Sequence, residues 1–191
     1  STVFQIRLHG RGGQGVVTAA ELLSVAAFLD GQESVAFPSF GSERMGAPVV
    51  SYCRIDAQRI RTREPIDQPD AVVVVDASLL HHVDVFAGIA KDGYVLVNSA
   101  RSTSDLGIED LHEMLPEKHV VTIPASEAAR DFIGKALPNI CMLGALAALT
   151  GAVTIGSLAT AVQERFTGSV ADANVAAARH CFKHMTAVAH A

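Results

Sequence analysis

The chain has 191 residues, of which 49% are hydrophobic and 18% are charged, and its formal net charge is −5. This length suits one domain over residues 1–191, and the acidic balance argues against a nucleic-acid-binding protein. Residues 1–15 lack the apolar core of a signal peptide, and the longest apolar stretch, Ile140 to Leu149, is too short to span a bilayer. We expect a cytoplasmic protein without membrane contact, and the surplus of apolar residues predicts a subunit interface.

The chain opens on a predicted strand, a glycine-rich turn and a helix. Apolar residues between Val3 and Leu8 precede the run Gly10-Arg11-Gly12-Gly13-Gln14-Gly15, and apolar residues at helical spacing follow it from Ala19 to Ala27. Gly10, Gly12 and Gly15 meet the spacing G-x-G-x-x-G. Glycine tolerates positive φ and lets a ligand or another backbone come close. Because N–H groups at a helix start suit an anion such as a phosphate, the turn is a candidate anion site.

A dinucleotide site would need an acidic residue at the end of the second strand, where it holds the ribose. The second predicted strand, Ser34 to Phe37, ends in Pro38-Ser39-Phe40-Gly41 and carries no acid at its tip. The sequence therefore disfavours an NAD site. A turn that is tightened only for packing is the other alternative.

Strands and helices continue to alternate along the chain. Residues 48–55 and 59–63 are predicted to form an antiparallel hairpin, and residues 71–76 are a continuous apolar run typical of a central parallel strand. Further strands are predicted over 94–98 and 119–123. Helices are predicted over 78–90 and 108–115, from Ser126 onward, and over 139–150, 155–166 and 172–188. The predicted fold class is α/β: a Rossmann-like, mostly parallel sheet with an antiparallel hairpin and a helical C-terminal section.

Three further patterns each allow two interpretations. Arg59, Arg61 and Arg63 alternate and would share one face of a strand, where they meet an acidic partner or phosphate groups, or protect an edge strand from aggregation. Asp76 ends a central strand, where α/β folds bind ligands, or it caps the helix that follows. His9 precedes the glycine turn, where a packed histidine is favoured over a proton-transfer role.

The sequence predicts neither a metal site nor a disulfide. Cys53, Cys141 and Cys181 are far apart and match no iron–sulfur or zinc spacing, so each is predicted to be a small buried residue. His180 and His184 lie one helical turn apart, but no third ligand completes a metal site.

Several linked motifs, taken in order, resemble the gamma subunit of the 2-oxoacid:acceptor oxidoreductases, typified by pyruvate:ferredoxin oxidoreductase. The motifs are the run Gly10 to Gly15, then Pro38-Ser39-Phe40-Gly41-Ser42-Glu43-Arg44-Met45-Gly46-Ala47-Pro48-Val49, Arg54-Ile55-Asp56, and Pro69-Asp70 before the strand that ends at Asp76. The resemblance covers the chain to residue 150 and, more loosely, the helical tail. Met45 departs from the pattern, because many relatives have an arginine or another polar residue there.

The resemblance implies a subunit that is not active alone. Enzymes of this family decarboxylate a 2-oxoacid on thiamine diphosphate, pass electrons through iron–sulfur clusters and release an acyl-coenzyme A. It implies that thiamine diphosphate, magnesium and the clusters lie on alpha, beta and delta-type partner subunits, and that ferredoxin or NAD accepts electrons through those subunits. The residues agree, because the three scattered cysteines cannot hold a cluster.

For this chain, the resemblance implies a role on the coenzyme A side of the complex and at a subunit interface. The residues expected to face coenzyme A are Gly10, Arg11, Gly12, Gly13, Gln14, Gly15, Ser39 and Arg44, with no catalytic residue and no metal ligand. The loop 40–49 favours pyruvate as the substrate, and arylglyoxylate, branched-chain 2-oxoacids and 2-oxoglutarate remain open. The alternative is a stand-alone nucleotide-binding α/β enzyme or sensor that uses the glycine turn.

Overall fold

A computed structural model describes residues 3–39 and 44–190 of the chain. The six strands are β1 (Phe4–Arg11), β2 (Glu33–Pro38), β3 (Pro48–Asp56), β4 (Ala71–Val74), β5 (Tyr94–Asn98) and β6 (Val120–Ile123). The helices are α1 (Val16–Leu29), α2 (Leu111–Met114), α3 (Ala125–Ile133), α4 (Asn139–Thr150), α5 (Ile155–Arg165) and α6 (Gly168–Ala189). Two short 3₁₀ helices cover Ala77–His81 and Glu117–His119.

The strands form one sheet in the order β2-β3-β1-β4-β5-β6. β1, β4, β5 and β6 pair in parallel, and β3 is antiparallel to both of its neighbours, β1 and β2. The chain leaves β1 toward one side of the sheet through α1 and β2, and later returns to the other side at β4. The sheet therefore has a topological switch point between β1 and β4, and the predicted mostly parallel α/β class is confirmed.

The predicted hairpin is wrong in its second strand. Residues 59–63 are not a strand, and β3 pairs with β1 and β2 instead, with Cys53 opposite both Ile6 and Ala36. Arg59, Arg61 and Arg63 are all exposed, and Ile60 is the single apolar residue of this segment, so a strand here would have little apolar surface to bury. These arginines therefore share no strand face.

The predicted helix over 78–90 is also wrong. The chain forms only the 3₁₀ helix Ala77–His81 there, followed by turns. The guanidinium of Arg7 donates to the carbonyl oxygens of Val85 (2.9 Å) and Ala87 (2.7 Å). A helix would have used backbone carbonyls of this segment for its own hydrogen bonds, so a tertiary contact competes with the local periodicity.

The predicted helices of the C-terminal section are confirmed as α4, α5 and α6. They and α1 cover one face of the sheet with an apolar core that includes Ile6, Leu8 and almost all of α4. The other face is covered by irregular segments, a 3₁₀ turn and the one-turn helix α2, which pack on Val72, Val74 and Val95. Among the cysteines, Cys53, Cys141 and Cys181 are free and buried, as predicted, and burial raises the pKa of Cys53 to about 12. One domain over 1–191 stays a prediction.

Candidate functional site at the carboxyl edge of the sheet

The glycine turn joins β1 to α1 at the carboxyl edge of the sheet. β1 continues through Gly10 and Arg11, so the turn is shorter than the motif. Gly15 has φ 71° and precedes the first helical residue, a left-handed conformation that a residue with a side chain rarely adopts. α1 has no side-chain cap and no acidic residue in its first turn. Its positive dipole end is therefore not neutralised by the helix itself.

The close approach that glycine permits is used by this chain's own backbone. Gly12 N–H donates to Ala47 O (2.8 Å), and Gly12 O accepts from Gly46 N–H (3.0 Å). A Cβ at Gly12 would overlap the carbonyl of Arg44. At Gly15 a Cβ would overlap Asn139, whose Nδ2 donates to Gly15 O (3.2 Å). Of the two uses expected for these glycines, the approach of another backbone is seen directly, and contact with a ligand stays a prediction.

Arg11 lies at the centre of a polar cluster across the switch point. Its Nε lies 3.5 Å from Asp76 Oδ2 and donates to Ser78 Oγ (3.1 Å). Nη2 also donates to Ser78 Oγ (3.0 Å), and Nη1 donates to Gly46 O (3.0 Å). The Arg11 side chain is 24% exposed. One N–H on each terminal nitrogen thus has no acceptor among the residues that the structure describes.

Gln14 and Asp76 hold this cluster together. Gln14 Oε1 accepts from the backbone N–H of Arg11 (2.7 Å), and its Nε2 donates to Asp76 Oδ2 (2.8 Å). Asp76 Oδ1 accepts from the N–H of Ser78 (2.9 Å) and from its hydroxyl (2.6 Å). Asp76 therefore caps the 3₁₀ helix that follows, one of its two predicted roles, and also pairs with Arg11.

The environment of Asp76 keeps it ionised. Burial is the largest single influence and would raise the pKa of Asp76, but hydrogen bonds from Ser78 and Gln14 and the charge of Arg11 together lower it below the ordinary value. A fixed carboxylate therefore orients the guanidinium at neutral pH. The cluster places one partly exposed cation beside the uncapped start of α1, at the position where open α/β sheets bind ligands.

Arg44 joins this site, and Ser39 does not. The bridge between Gly12 and Met45 sets the exposed Arg44 beside the glycine turn, and Met45 is 86% exposed there. Ser39 N–H donates to Val50 O (2.9 Å), which extends the β2–β3 pairing, so β3 separates Ser39 from β1. The remaining motif residues, 40–43, lie outside the described residues.

Arg7 and His9 form a buried pair, of which only the burial of His9 was predicted from the sequence. Arg7 Nε donates to His9 Nε2 (3.0 Å), and the two residues are 7% and 4% exposed. Burial, and then the adjacent Arg7 charge, lowers the pKa of His9 to about 3, so this histidine is neutral. His9 is packed, as the sequence favoured. Alternation of Ile6 and Leu8 with Arg7 and His9 was the available signal of a strand with one polar buried face.

The sheet order gives a second reason against an NAD site. In a dinucleotide-binding sheet the second strand lies beside the first, so its terminal acid reaches the ribose. Here β3 lies between β1 and β2, and β2 ends at Pro38. The end of β2 is thus separated from the glycine turn by the width of β3, so a residue there could not reach a ribose bound at the turn. The end of β2 also carries no acidic residue.

Comparison with known proteins gives one consistent class. A family model described as pyruvate ferredoxin/flavodoxin oxidoreductase matches residues 5–183. The chain is 44% identical over 181 residues to the pyruvate/ketoisovalerate oxidoreductases common subunit gamma of Pyrococcus abyssi, covering 95% of this chain and 96% of that protein. It is also 44% identical over 183 residues to pyruvate synthase subunit PorC of Methanothermobacter marburgensis, covering 96% and 98% of the two chains.

A solved structure agrees with these relatives. The crystal structure of pyruvate oxidoreductase subunit PORC from Thermotoga maritima superposes with a TM-score of 0.81 at 32% identity, covering 96% of this chain and 97% of that chain. Fold, glycine turn and relatives together define a subunit of an oxidoreductase complex. The chain belongs to the pyruvate ferredoxin/flavodoxin oxidoreductase family, and its predicted identity as a gamma-type subunit is confirmed. The alternative of a stand-alone nucleotide-binding enzyme or sensor finds no support in these matches.

Within residues 3–39 and 44–190, no helix combines the length and the hydropathy that crossing a bilayer requires.

Proposed function

We propose that this gamma subunit forms the coenzyme A side of a complex that converts a 2-oxoacid, with pyruvate favoured, to an acyl-coenzyme A. In this proposal alpha, beta and delta-type subunits carry thiamine diphosphate, magnesium and iron–sulfur clusters, and ferredoxin or NAD takes electrons from those subunits. The word pyruvate occurs in the names of both relatives, which supports pyruvate as the substrate. The partners carry the redox chemistry, and this chain contributes binding and assembly.

The observation that carries the proposal is the position of Arg11. It ends β1 at the switch point, directly before the uncapped N-terminus of α1. Coenzyme A presents a pyrophosphate and a ribose phosphate, and a guanidinium beside free helix N–H groups is a suitable environment for such anions. The N–H groups of Arg11 that donate to none of the described residues can bind a phosphate oxygen, while Ser78 and Asp76 hold the side chain in place.

Arg44 supplies a second cation to the same edge. It is exposed, and its backbone is held against Gly12 through the 44–47 segment. Asp76 limits the affinity, because its carboxylate neutralises part of the Arg11 charge. We therefore expect coenzyme A to be oriented by this edge and not bound tightly by it alone, which suits a substrate that must be released as product.

Arg11→Gln in the assembled complex tests the proposal. A charge-assisted hydrogen bond contributes about 1.5–3 kcal/mol, so we expect the KM for coenzyme A to rise at least about tenfold. Cluster reduction by the 2-oxoacid without coenzyme A should keep its rate. Arg44→Ala should raise the same KM by a smaller factor, and Arg101→Gln, an exposed arginine that contacts Asp105 O, is the matched control.

The two half-reactions separate a binding role from a structural one. If Arg11→Gln slows cluster reduction as much as coenzyme A turnover, or leaves the KM unchanged, the assignment is wrong. Gly12→Val is a poor probe of ligand approach, because the added bulk would first displace the Arg44–Ala47 backbone of this chain.

A further inference from the structure

A groove with an apolar floor and a cationic rim lies between α3, the start of α5 and α6. Its volume is about 500 Å³, and Phe132, Ile155 and Phe182 form the floor. Phe132 is 40% exposed, and the centroid of its ring lies 4.9 Å from the centroid of the His180 ring. A large aromatic side chain this open to water loses apolar burial that an occupant of the groove would restore.

The rim of the groove is positive. Arg179 and Lys183 lie one turn apart on α6 with His180 between them, and all three are exposed. The residues that line the groove include no acid. Within the described part of the chain, neither Arg179 nor Lys183 has an acidic group within 4.0 Å. This unpaired positive rim contrasts with the formal net charge of −5 for the whole chain.

We infer that this groove docks an acidic segment of another subunit, with apolar side chains on the floor and carboxylates at Arg179 and Lys183. Electrostatic complementarity of this kind steers and orients partners, and exposed aromatic and arginine side chains are the residues that interfaces use most. A small-molecule site would hold a few rigid polar groups around its ligand. Here every polar lining side chain is exposed at the rim, which fits an extended segment of a protein better. A subunit of a complex needs such surfaces.

Lysine acetylation of the intact complex and of the free chain tests whether the groove is covered. Lys183 should react at least tenfold more slowly in the complex than in the free chain. Lys91, exposed in the turn before β5, is the reference lysine for general effects of the reagent. Equal reaction of Lys183 in both samples, after correction by Lys91, would show an open groove and overturn the inference.

Carbodiimide cross-linking then identifies the occupant, because it joins a lysine amine to a carboxylate in contact with it. We expect Lys183 joined to an Asp or Glu of a different subunit, and loss of that product in Lys183→Arg, which keeps the charge but has no reactive amine. A product with a second copy of this chain alone would reject the proposed occupant.

Charge reversal decides the case in which Lys183 is protected but forms no cross-link. Lys183→Glu should weaken retention of this chain in the complex about tenfold at 0.15 M salt, and Lys91→Glu should not. Equal retention of the two variants would mean that a small ligand or a non-electrostatic contact fills the groove, and the inference would fail.

Discussion

The two faces of β1 are both buried, yet they are built from different chemistry. Ile6 and Leu8 are completely buried against helices, whereas Arg7 and His9, which alternate with them, are buried under irregular chain. A helix satisfies its own backbone hydrogen bonds, so the face beneath it can be wholly apolar. An irregular cover presents carbonyl groups that need donors from outside.

The buried arginines supply those donors. Arg7 donates to the carbonyls of Ile66 (3.0 Å), Val85 and Ala87, and so ties two separate covering segments to the sheet. Arg54 donates to Thr62 O (3.4 Å), and its guanidinium carbon lies 5.4 Å from the centroid of the Phe37 ring. A buried charge in this fold thus supplies hydrogen bonds that a regular covering helix would have made within itself.

The largest effect is expected for Arg7→Met. Three carbonyls lose a charged donor, each such bond contributes about 1.5–3 kcal/mol, and partial rehydration reduces the total, so unfolding should cost about 4 kcal/mol less. Urea unfolding measures this difference. Arg61→Met, at an exposed arginine in the same covering region, should change stability by less than about 0.5 kcal/mol. Equal effects of the two variants would contradict the role given to Arg7.

On the helical side, Gly144→Ala should lower the free energy of unfolding by about 3 kcal/mol, because a Cβ there would overlap the carbonyl of Ala178 where α4 packs on α6. The clash is with backbone, which cannot move as a side chain can. Gly156→Ala in α5 is the matched control, since a Cβ there meets no atom within 4 Å, and it should gain up to about 1 kcal/mol. Thermal unfolding of both variants measures which of them is less stable than the natural chain. Unchanged stability of Gly144→Ala would show that the α4–α6 contact can relax.

A smaller effect is expected from pH, and it belongs to the polar face alone. The pKa of His9 is about 3 in the folded chain, and a free histidine has a pKa of about 6.5. Between these values the unfolded chain binds the extra proton, so stability falls as pH decreases below about 6.5. From pH 7 to pH 5 the loss should be about 2 kcal/mol, at 1.36 kcal/mol for each unit below 6.5.

His9→Asn isolates this contribution, because asparagine can still accept from Arg7 but does not titrate in this range. The free energy of unfolding at pH 5 and pH 7 should differ by about 2 kcal/mol less in the variant than in the natural chain. Asp30 and Asp76 have lowered pKa values and lose their stabilising effect only in more acidic solution. The same pH slope in both proteins would show that His9 gains its proton without disturbing the fold.

Local patterns in the sequence predicted most of the strands and helices of this protein and the family to which it belongs. The apolar runs at residues 71–76 and 94–98 became β4 and β5, because a central strand buries both faces wherever it is placed. The helical periods near residues 139, 155 and 172 became α4, α5 and α6, and the ordered motifs from Gly10 to Asp76 were enough to identify the family. These features depend on neighbours in the chain, so sequence alone determined them.

Only the tertiary structure decided how those elements meet. Nothing local shows that β3 inserts between β1 and β2, because strand order depends on which edges pair after the chain has turned back. The helical pattern over 78–90 gives way to turns because Arg7, some 80 positions earlier, takes carbonyls of that segment. In the same way Arg11, Gln14, Asp76 and Ser78 form one cluster only because β1 and β4 pair in parallel. Residues far apart in sequence can cooperate at a site only after the sheet has brought their strand ends together.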